Sequence, residues 1–483
     1  MLPKKSAIAL LLALIAAAAP STPAPLTTNA TGCAPGSRCI AVMDDTGQPS
    51  ASGTWIAQCR GKFADFIVPR NTLPASYSGP WFRPELIENA TASGPGGTRP
   101  WLNFTPTVES ERLKYLLALR NYAFTSAQLR ALTPQLTADS TYRDSSAGGV
   151  SASLRQQKWY PAPRMIYGDP SNPGSREAVH GMTRERSVRV RELAGNTRRF
   201  VNYAVAYYDA RGARTYNQVW SPSTPGIDVA DTSHMQFAEG SLVFKLLFSA
   251  AKPSDFPVDI LDGSVKTTVQ PNAGGQAVTV RLLQIDIAVK DNRAGTTGWY
   301  FATYAYDRNF NNASPWRKMV PVGLMWGNKI GSPIKESWLN VNAPAYALNH
   351  LGAGGRLNGP VDNPLSACMS CHSTAQAPAV ADLLPQAACN ESNWFRNLPG
   401  TQAFGRFDPS ANICVTTPLP PLLVAADYSL QLSKTVDLAI SSTPSFNPCT
   451  WDTANPPEAT PAPATPAATS PGGVTVFEVS RDP

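Results

Sequence analysis

The chain has 483 residues, of which 43% are hydrophobic, so it is long and apolar enough to bury a large core. Its 45 prolines and 34 glycines exclude an architecture of long helical bundles. The formal net charge of +7 is spread along the chain without a block of Lys and Arg, so no nucleic-acid partner is expected.

The N-terminal residues have the pattern of a secretory signal peptide. Lys4 and Lys5 precede an apolar run from Ala7 to Ala19 that is rich in leucine and alanine. This run is shorter than the roughly 20 apolar residues that a membrane-spanning helix needs, and no later segment meets that requirement. We therefore predict a signal peptide at residues 1–18, a flexible lead-in at 19–32, no membrane span in the mature chain and a periplasmic location.

Hydrophobic periodicity predicts both helices and strands. The first helix is predicted at Glu109–Arg120, where leucines recur on one face, and a second short helix is predicted to begin at Thr125 or Ser126. From about residue 199 the period changes to two. This change predicts strands at residues 200–207, 242–248, 277–289, 299–306 and 320–326.

The arrangement of these elements predicts an α+β fold that is rich in strands and loops. A slip in the alternation at Leu282–Leu283 predicts a β-bulge, and residues 292–297 are predicted to form the turn of a hairpin. We expect one large domain at residues 33–452, with peripheral helices and an irregular C-terminal segment that includes residues 368–372. Residues 453–483 are rich in Pro, Ala and Thr and too polar to bury a core, so they are predicted to be a disordered tail.

Residues 368–372 read Cys-Met-Ser-Cys-His, which is the C-x-x-C-H pattern of c-type haem attachment. Two thiols separated by two residues can each add to one vinyl group of the same porphyrin, and the adjacent imidazole can then reach the iron. The pattern predicts one covalent haem c on Cys368 and Cys371, with His372 as an axial ligand.

Two other interpretations of this cysteine pair are a redox-active dithiol and part of a zinc site. The residues before the pair do not resemble the strand that precedes a redox dithiol, and no further zinc ligands follow at a suitable spacing. Both interpretations are therefore less favoured than haem attachment.

The remaining six cysteines are even in number, which in an oxidising compartment predicts disulfide bonds. They form two groups of three, one near each end of the chain, and this clustering favours at least one bridge within each group. The connectivity stays open. The six are Cys33, Cys39, Cys59, Cys389, Cys414 and Cys449.

No Met and no His follows His372, so a second Met or His ligand of the iron has to come from upstream. Small all-helical cytochromes c supply a Met downstream of their motif, and this chain is therefore not expected to have their fold. Met325, in an apolar strand flanked by glycines, is the first candidate. His180 and His350, both in predicted loops, are the alternatives, and an open iron position is a further possibility.

Three stretches of the chain resemble a group of bacterial monohaem proteins known as the cytochrome c family. These stretches are residues 351–364, which lead into the motif, residues 180–186 and residues 320–328. The resemblance covers the chain from about residue 80 to about residue 420. It implies that Cys368, Cys371 and His372 hold a haem, but it implies no substrate.

Electron transfer through one haem, between redox partner proteins of unknown identity, is the leading hypothesis for the function. A haem enzyme of the peroxidase or oxidase type, with an open iron position, is the second hypothesis. A sensor, or a haem subunit of a larger respiratory complex, is the third. Arg184, Arg186 and Arg356 are candidates to contact the haem propionates or to polarise an oxygen ligand.

Overall fold

A computed structural model describes residues 99–124, 159–162, 178, 182–220, 232–329, 336–379, 381, 383–385, 394–408, 413–416 and 423–441. The predicted signal peptide, lead-in, second helix and tail lie outside these residues, and so does His180. Five of the six cysteines expected in disulfides also lie outside them, while Cys414 lies in a described strand whose side chains are not described.

The described residues form thirteen strands and five α-helices. The strands are β1 (Trp159–Pro161), β2 (Thr183–Arg184), β3 (Asn202–Asp209), β4 (Leu242–Ser249), β5 (Lys266–Val269), β6 (Val278–Lys290), β7 (Trp299–Tyr306), β8 (Met319–Met325), β9 (Ser337–Leu339), β10 (Gln376–Ala377), β11 (Arg406–Asp408), β12 (Ile413–Thr416) and β13 (Val424–Ala425). The helices are α1 (Glu109–Phe124), α2 (Ala210–Trp220), α3 (Ala345–Leu348), α4 (Cys368–His372) and α5 (Leu430–Ser441). None of these helices is long and apolar enough to cross a bilayer.

One large antiparallel sheet of nine strands dominates the fold. Its strands follow the order β1-β3-β4-β6-β7-β8-β9, with β2 paired to β3 and β5 paired to β6. Two small two-stranded sheets, β10-β13 and β11-β12, lie in the C-terminal segment. The predicted α+β, β-rich fold class is confirmed.

The predicted strands agree with the central strands of this sheet. Strand β7 has the predicted bounds, β4 ends one residue later than predicted, and β6 and β8 are each shifted by one residue. Strand β3 is shifted by two residues from the predicted range 200–207. The bulge predicted in β6 is also confirmed, because Leu247 pairs with Gln284 while the next residue, Phe248, pairs with Leu282. The pairing leaves Leu283 as the extra residue.

The two faces of the sheet pack against different parts of the chain. Because successive side chains of a strand point to opposite faces, Tyr300 and Tyr304 of β7 face α1, where the Tyr304 hydroxyl donates to the Leu116 carbonyl over 2.8 Å. Phe301 faces the other way, and its ring centroid lies 4.6 Å from that of His372 in α4. All eight residues of β7 are therefore buried.

Four of the five helices were not predicted, namely α2, α3, α4 and α5, and residues 368–372, which were expected in an irregular segment, form α4. Helix α2 follows β3 without a loop, and Asp209 at the junction caps it. The Oδ1 atom of Asp209 accepts from the Gly212 amide over 2.8 Å and from the Leu242 amide over 3.1 Å. Burial raises the pKa of this carboxyl to about 6.

Replacement of Asp209 by Ala should lower the free energy of unfolding by about 1–2 kcal/mol, because two buried amides lose their acceptor. Denaturant unfolding at neutral pH measures the change. Asp209→Asn, which keeps an acceptor oxygen, serves as the matched control and should lose less than half as much. Equal losses in both variants would contradict the capping role.

Candidate functional site

Residues 368–372 form the short helix α4, and its geometry explains the spacing of the motif. Residues three and four apart lie on the same side of a helix, so Cys368, Cys371 and His372 share one face. The two residues between the cysteines, Met369 and Ser370, are fully buried on the other side. The Ser370 hydroxyl accepts from the Ala367 amide over 2.9 Å and anchors the start of the helix.

The shared face of α4 lines a cavity of about 370 Å³. This volume falls within the range of about 300–1,000 Å³ that is typical of small-molecule and cofactor sites. Strands β3, β4, β6 and β7 supply one wall, in which many of the side chains are small. The residues of this wall are Ala204, Val205, Ala206, Tyr208, Val243, Lys245, Leu247, Asp286, Ala288, Trp299, Phe301, Ala302 and Thr303.

The imidazole of His372 is held in one tautomer. Its Nδ1 lies 2.8 Å from the backbone carbonyl oxygen of Tyr428. Since a carbonyl only accepts hydrogen bonds, Nδ1 carries the proton and Nε2 keeps its lone pair. Burial lowers the pKa of His372 to about 4, so the ring is neutral at pH 7. The result is an imidazole whose Nε2 is able to bind a metal.

Burial raises the pKa of both thiols in the motif. The pKa of Cys371 is raised to about 12, and that of Cys368 is raised well above its usual value, also by the carboxylates of Asp286 and Asp362. Redox dithiols work through a thiol whose pKa is lowered. The two thiols of this cavity stay protonated at neutral pH, which disfavours the dithiol interpretation.

A zinc site receives no support from the described residues either. Within the described ranges, no group of three or more His, Cys, Asp and Glu side chains could hold a metal ion. Structural zinc sites need four such ligands. A haem needs only one protein nitrogen together with the two thioether links, and α4 supplies all three groups.

Four charged side chains form a polar patch on the cavity wall, namely Glu185, Lys245, Asp286 and Asp362. Lys245 Nζ lies 2.9 Å from a carboxylate oxygen of Glu185. The amide nitrogen of Gln284 donates to both Asp286 and Asp362, over 2.8 and 2.9 Å. The patch therefore consists of one ion pair and a hydrogen-bonded network around Asp286, on an otherwise apolar surface.

This patch was not predicted from the sequence, although the sequence contains a signal for it. Lys245 and Asp286 interrupt two strands that are otherwise largely apolar, and they are direct partners in the register of β4 and β6. A charged pair in the middle of a buried sheet indicates a polar cavity or a buried ion pair. Thr303 on β7 adds to the same network, because its hydroxyl donates to Asp286 over 2.8 Å.

The structure gathers only some of the predicted site residues. Among the candidates for a second axial ligand, Met325 is fully buried in β8, and His350 Nε2 donates to the Asp362 carbonyl over 2.8 Å. Neither residue is among the described residues that line the cavity.

Of the three arginines, only Arg186 lines the cavity, and it also pairs with Glu192. Arg184 lies in β2 and does not line the cavity. Arg356 is buried elsewhere, with its guanidinium 4.1 Å from the ring centroid of Phe395. Of the three arginines, Arg186 is therefore the one positioned to contact a propionate of a group bound in the cavity.

No family model, no curated protein and no solved structure matches this chain. The resemblance to bacterial monohaem proteins thus stays a prediction. The function has to be inferred from α4, the cavity that it lines and the polar patch beside it.

The polar patch predicts a pH-dependent stability. Burial, and then the neighbouring Asp362 carboxylate, raise the pKa of Asp286 above its ordinary value. The folded protein therefore keeps a proton that the unfolded chain loses near its pKa of about 3.9. This contribution to stability is complete below about pH 4 and is lost as the pH rises through the raised pKa.

Asp286→Asn should remove this titration while keeping the size of the side chain. We expect the free energy of unfolding of the variant to fall less between about pH 5 and about pH 8 than that of the wild type. Urea unfolding at both pH values measures the difference, with Asp262→Asn, at an exposed carboxyl, as the control. An equal change in the free energy of unfolding between the two pH values in all three proteins would contradict the prediction.

Proposed function

We propose that this protein is a monohaem c-type cytochrome, exported to the periplasm, that transfers single electrons. The observation that carries the proposal is the shared face of α4, where Cys368, Cys371 and His372 line one cavity. In this proposal the two thiols hold the haem covalently and His372 Nε2 binds its iron. The haem supplies one-electron chemistry when it is bound.

The residues around the cavity fit such a group. The apolar wall with Ala204, Ala206 and Ala288 leaves room for a flat, largely apolar ligand. The hydrogen bond from His372 Nδ1 to the Tyr428 carbonyl orients the ring and raises the basicity of Nε2. Arg186, on the cavity wall, is the candidate partner of a propionate.

Electron donors and acceptors are proposed to dock weakly. Redox partners typically meet over a small area, below about 1,200 Å², so that the complex can dissociate after transfer. The predicted export at residues 1–18 supports the proposal, since c-type haem is attached outside the cytoplasm in bacteria.

Expression of the chain in a host that attaches haem c should yield a coloured protein. Its mass should exceed that of the polypeptide by one haem, even after denaturation, because the thioether links are covalent. The double variant Cys368→Ser/Cys371→Ser should lose the covalent haem. Met369→Leu changes the motif without removing a thiol or the imidazole and should keep it. A colourless wild type with the mass of the polypeptide alone would end the proposal.

A haem enzyme or gas sensor is the second candidate, and one observation favours it. Among the described residues that line the cavity, there is no Met and no His other than His372. An iron with one strong axial ligand can bind oxygen, peroxide or carbon monoxide. The polar patch would then lie close to such a ligand and could donate or accept protons.

Replacement of Met325 should not change the visible spectrum, because this side chain is not on the cavity wall. Met325→Leu conserves volume and should cost less than about 1.5 kcal/mol, so the protein stays folded. Met319→Leu, on the same strand and equally buried, is the matched control. Conversion of low-spin to high-spin iron by Met325→Leu alone would instead identify Met325 as the second ligand.

The same preparations separate the two candidate functions. A reduced spectrum that carbon monoxide does not shift supports the electron carrier, with a second ligand from outside the described residues, such as His180. A shifted spectrum supports the enzyme or sensor.

A further inference from the structure

The carbonyl group that accepts from His372 lies in an unusual turn. Both Asp427 and Tyr428 adopt left-handed backbone conformations, with φ of 44° and 65°. Residues other than glycine rarely occupy this region, and two in succession require the surroundings to hold them there. The orientation of the Tyr428 carbonyl therefore depends on contacts made by this turn.

The side chain of Asp427 makes most of those contacts. It is completely buried, and its Oδ1 accepts from Lys290 Nζ over 2.6 Å and from Trp299 Nε1 over 2.8 Å. Its Oδ2 accepts from the Phe237 amide over 2.8 Å. We call Asp427, Lys290 and Trp299 the Asp427 clamp. The clamp ties the turn to the end of β6 and the start of β7.

Two further contacts leave this turn little room to move. The Tyr428 hydroxyl donates to the Leu398 carbonyl over 2.7 Å, which holds the other side of the turn. At Gly400 a Cβ atom would collide with Asp427 Oδ1, so only glycine permits the approach of the chain at this point. The carboxylate is thus enclosed on all sides by donors and backbone.

We propose that the Asp427 clamp is a positioning device that sets the electron-donating strength of His372, and thereby the reduction potential of the bound haem. The inference rests on the proposed function. A carbonyl held at a fixed distance from Nδ1–H raises the basicity of the imidazole, and a more basic ligand stabilises ferric over ferrous iron. Asp427 touches neither His372 nor the cavity, and it acts only through the Tyr428 carbonyl.

Loss of the clamp should move the reduction potential to a more positive value, because the hydrogen bond to His372 lengthens. Asp427→Asn tests this, but it also removes a negative charge, which by itself favours ferrous iron. Trp299→Phe removes one donor of the clamp without any change of charge, but Trp299 also lines the cavity. A positive shift that is accompanied by faster exchange of the His372 Nδ1 proton in both variants therefore reports on positioning and not on charge or cavity lining alone.

Two measurements are needed on each variant with its haem attached. A spectroelectrochemical titration gives the reduction potential, and nuclear magnetic resonance gives the rate at which the His372 Nδ1 proton exchanges with water. We expect a positive shift of the potential and faster exchange in Asp427→Asn and in Trp299→Phe. Exchange should be faster because a looser turn opens the hydrogen bond more often.

Matched controls separate positioning from general loss of stability. Asp259→Asn breaks another ion pair, in which Arg281 Nη1 lies 2.6 Å from Asp259 and is largely buried. Trp326→Phe makes the same change as Trp299→Phe in a different hydrophobic cluster, at a residue that is not among those described as lining the cavity. Both controls should lose stability while keeping the wild-type potential and exchange rate.

The outcomes are distinct. An unchanged potential in Trp299→Phe, whatever Asp427→Asn does, would overturn the inference, and this variant carries the test if Asp427→Asn does not fold. Equal shifts in the controls, or a shifted potential in Trp299→Phe without faster exchange of the His372 Nδ1 proton, would overturn it as well. A wild type without haem would contradict the proposed function itself. A wild type that carries haem, together with variants whose reduction potential is unchanged, would contradict only the role of the clamp.

Discussion

Strand β7 is buried on both faces along its whole length, and the two halves of the molecule are organised around it. Its alternating side chains serve two cores at once, since Tyr304 donates to α1 and Phe301 packs beside His372. Thr303 lies on the same face as Phe301. The hydroxyl of Thr303 donates to Asp286 and lies 3.8 Å from the sulfur of Cys368. This interior strand of the sheet therefore also supports the candidate site.

Contacts between distant parts of the chain hold the cavity in shape. The bond from His372 to the Tyr428 carbonyl joins residues 56 positions apart, and the bond from Lys290 to Asp427 joins residues 137 apart. Both bring the C-terminal segment back onto the sheet. The same segment thus closes the cavity and orients the imidazole, so stability and the chemistry of the site depend on one set of interactions.

The central strands of the fold were predictable because apolar and polar residues alternate along a strand, and this alternation is visible in the sequence. Strands β4, β6, β7 and β8 and the bulge at Leu283 followed from alternation of apolar residues. Helices α2, α3, α4 and α5 were not predicted. The start of α2 is set by the Asp209 side chain, whose second partner is Leu242 on another strand, and such a tertiary contact leaves no periodic signal. The buried residues of α2 do recur every three positions, and this signal was overlooked; they are Ala210, Ala213, Tyr216 and Val219.

The group of Cys368, Cys371 and His372 was evident from the sequence, because the C-x-x-C-H spacing alone indicates it. The helix that brings these residues to one face, and everything that surrounds that face, came from the three-dimensional structure. The cavity, the polar patch and the Tyr428 carbonyl come from strands and turns far away in the chain. Their pairing depends on which segments pack together, and long-range packing is not encoded in any local pattern of residues. For the same reason the structure, and not the composition of the loops, decided that Met325 and His350 lie away from the cavity wall.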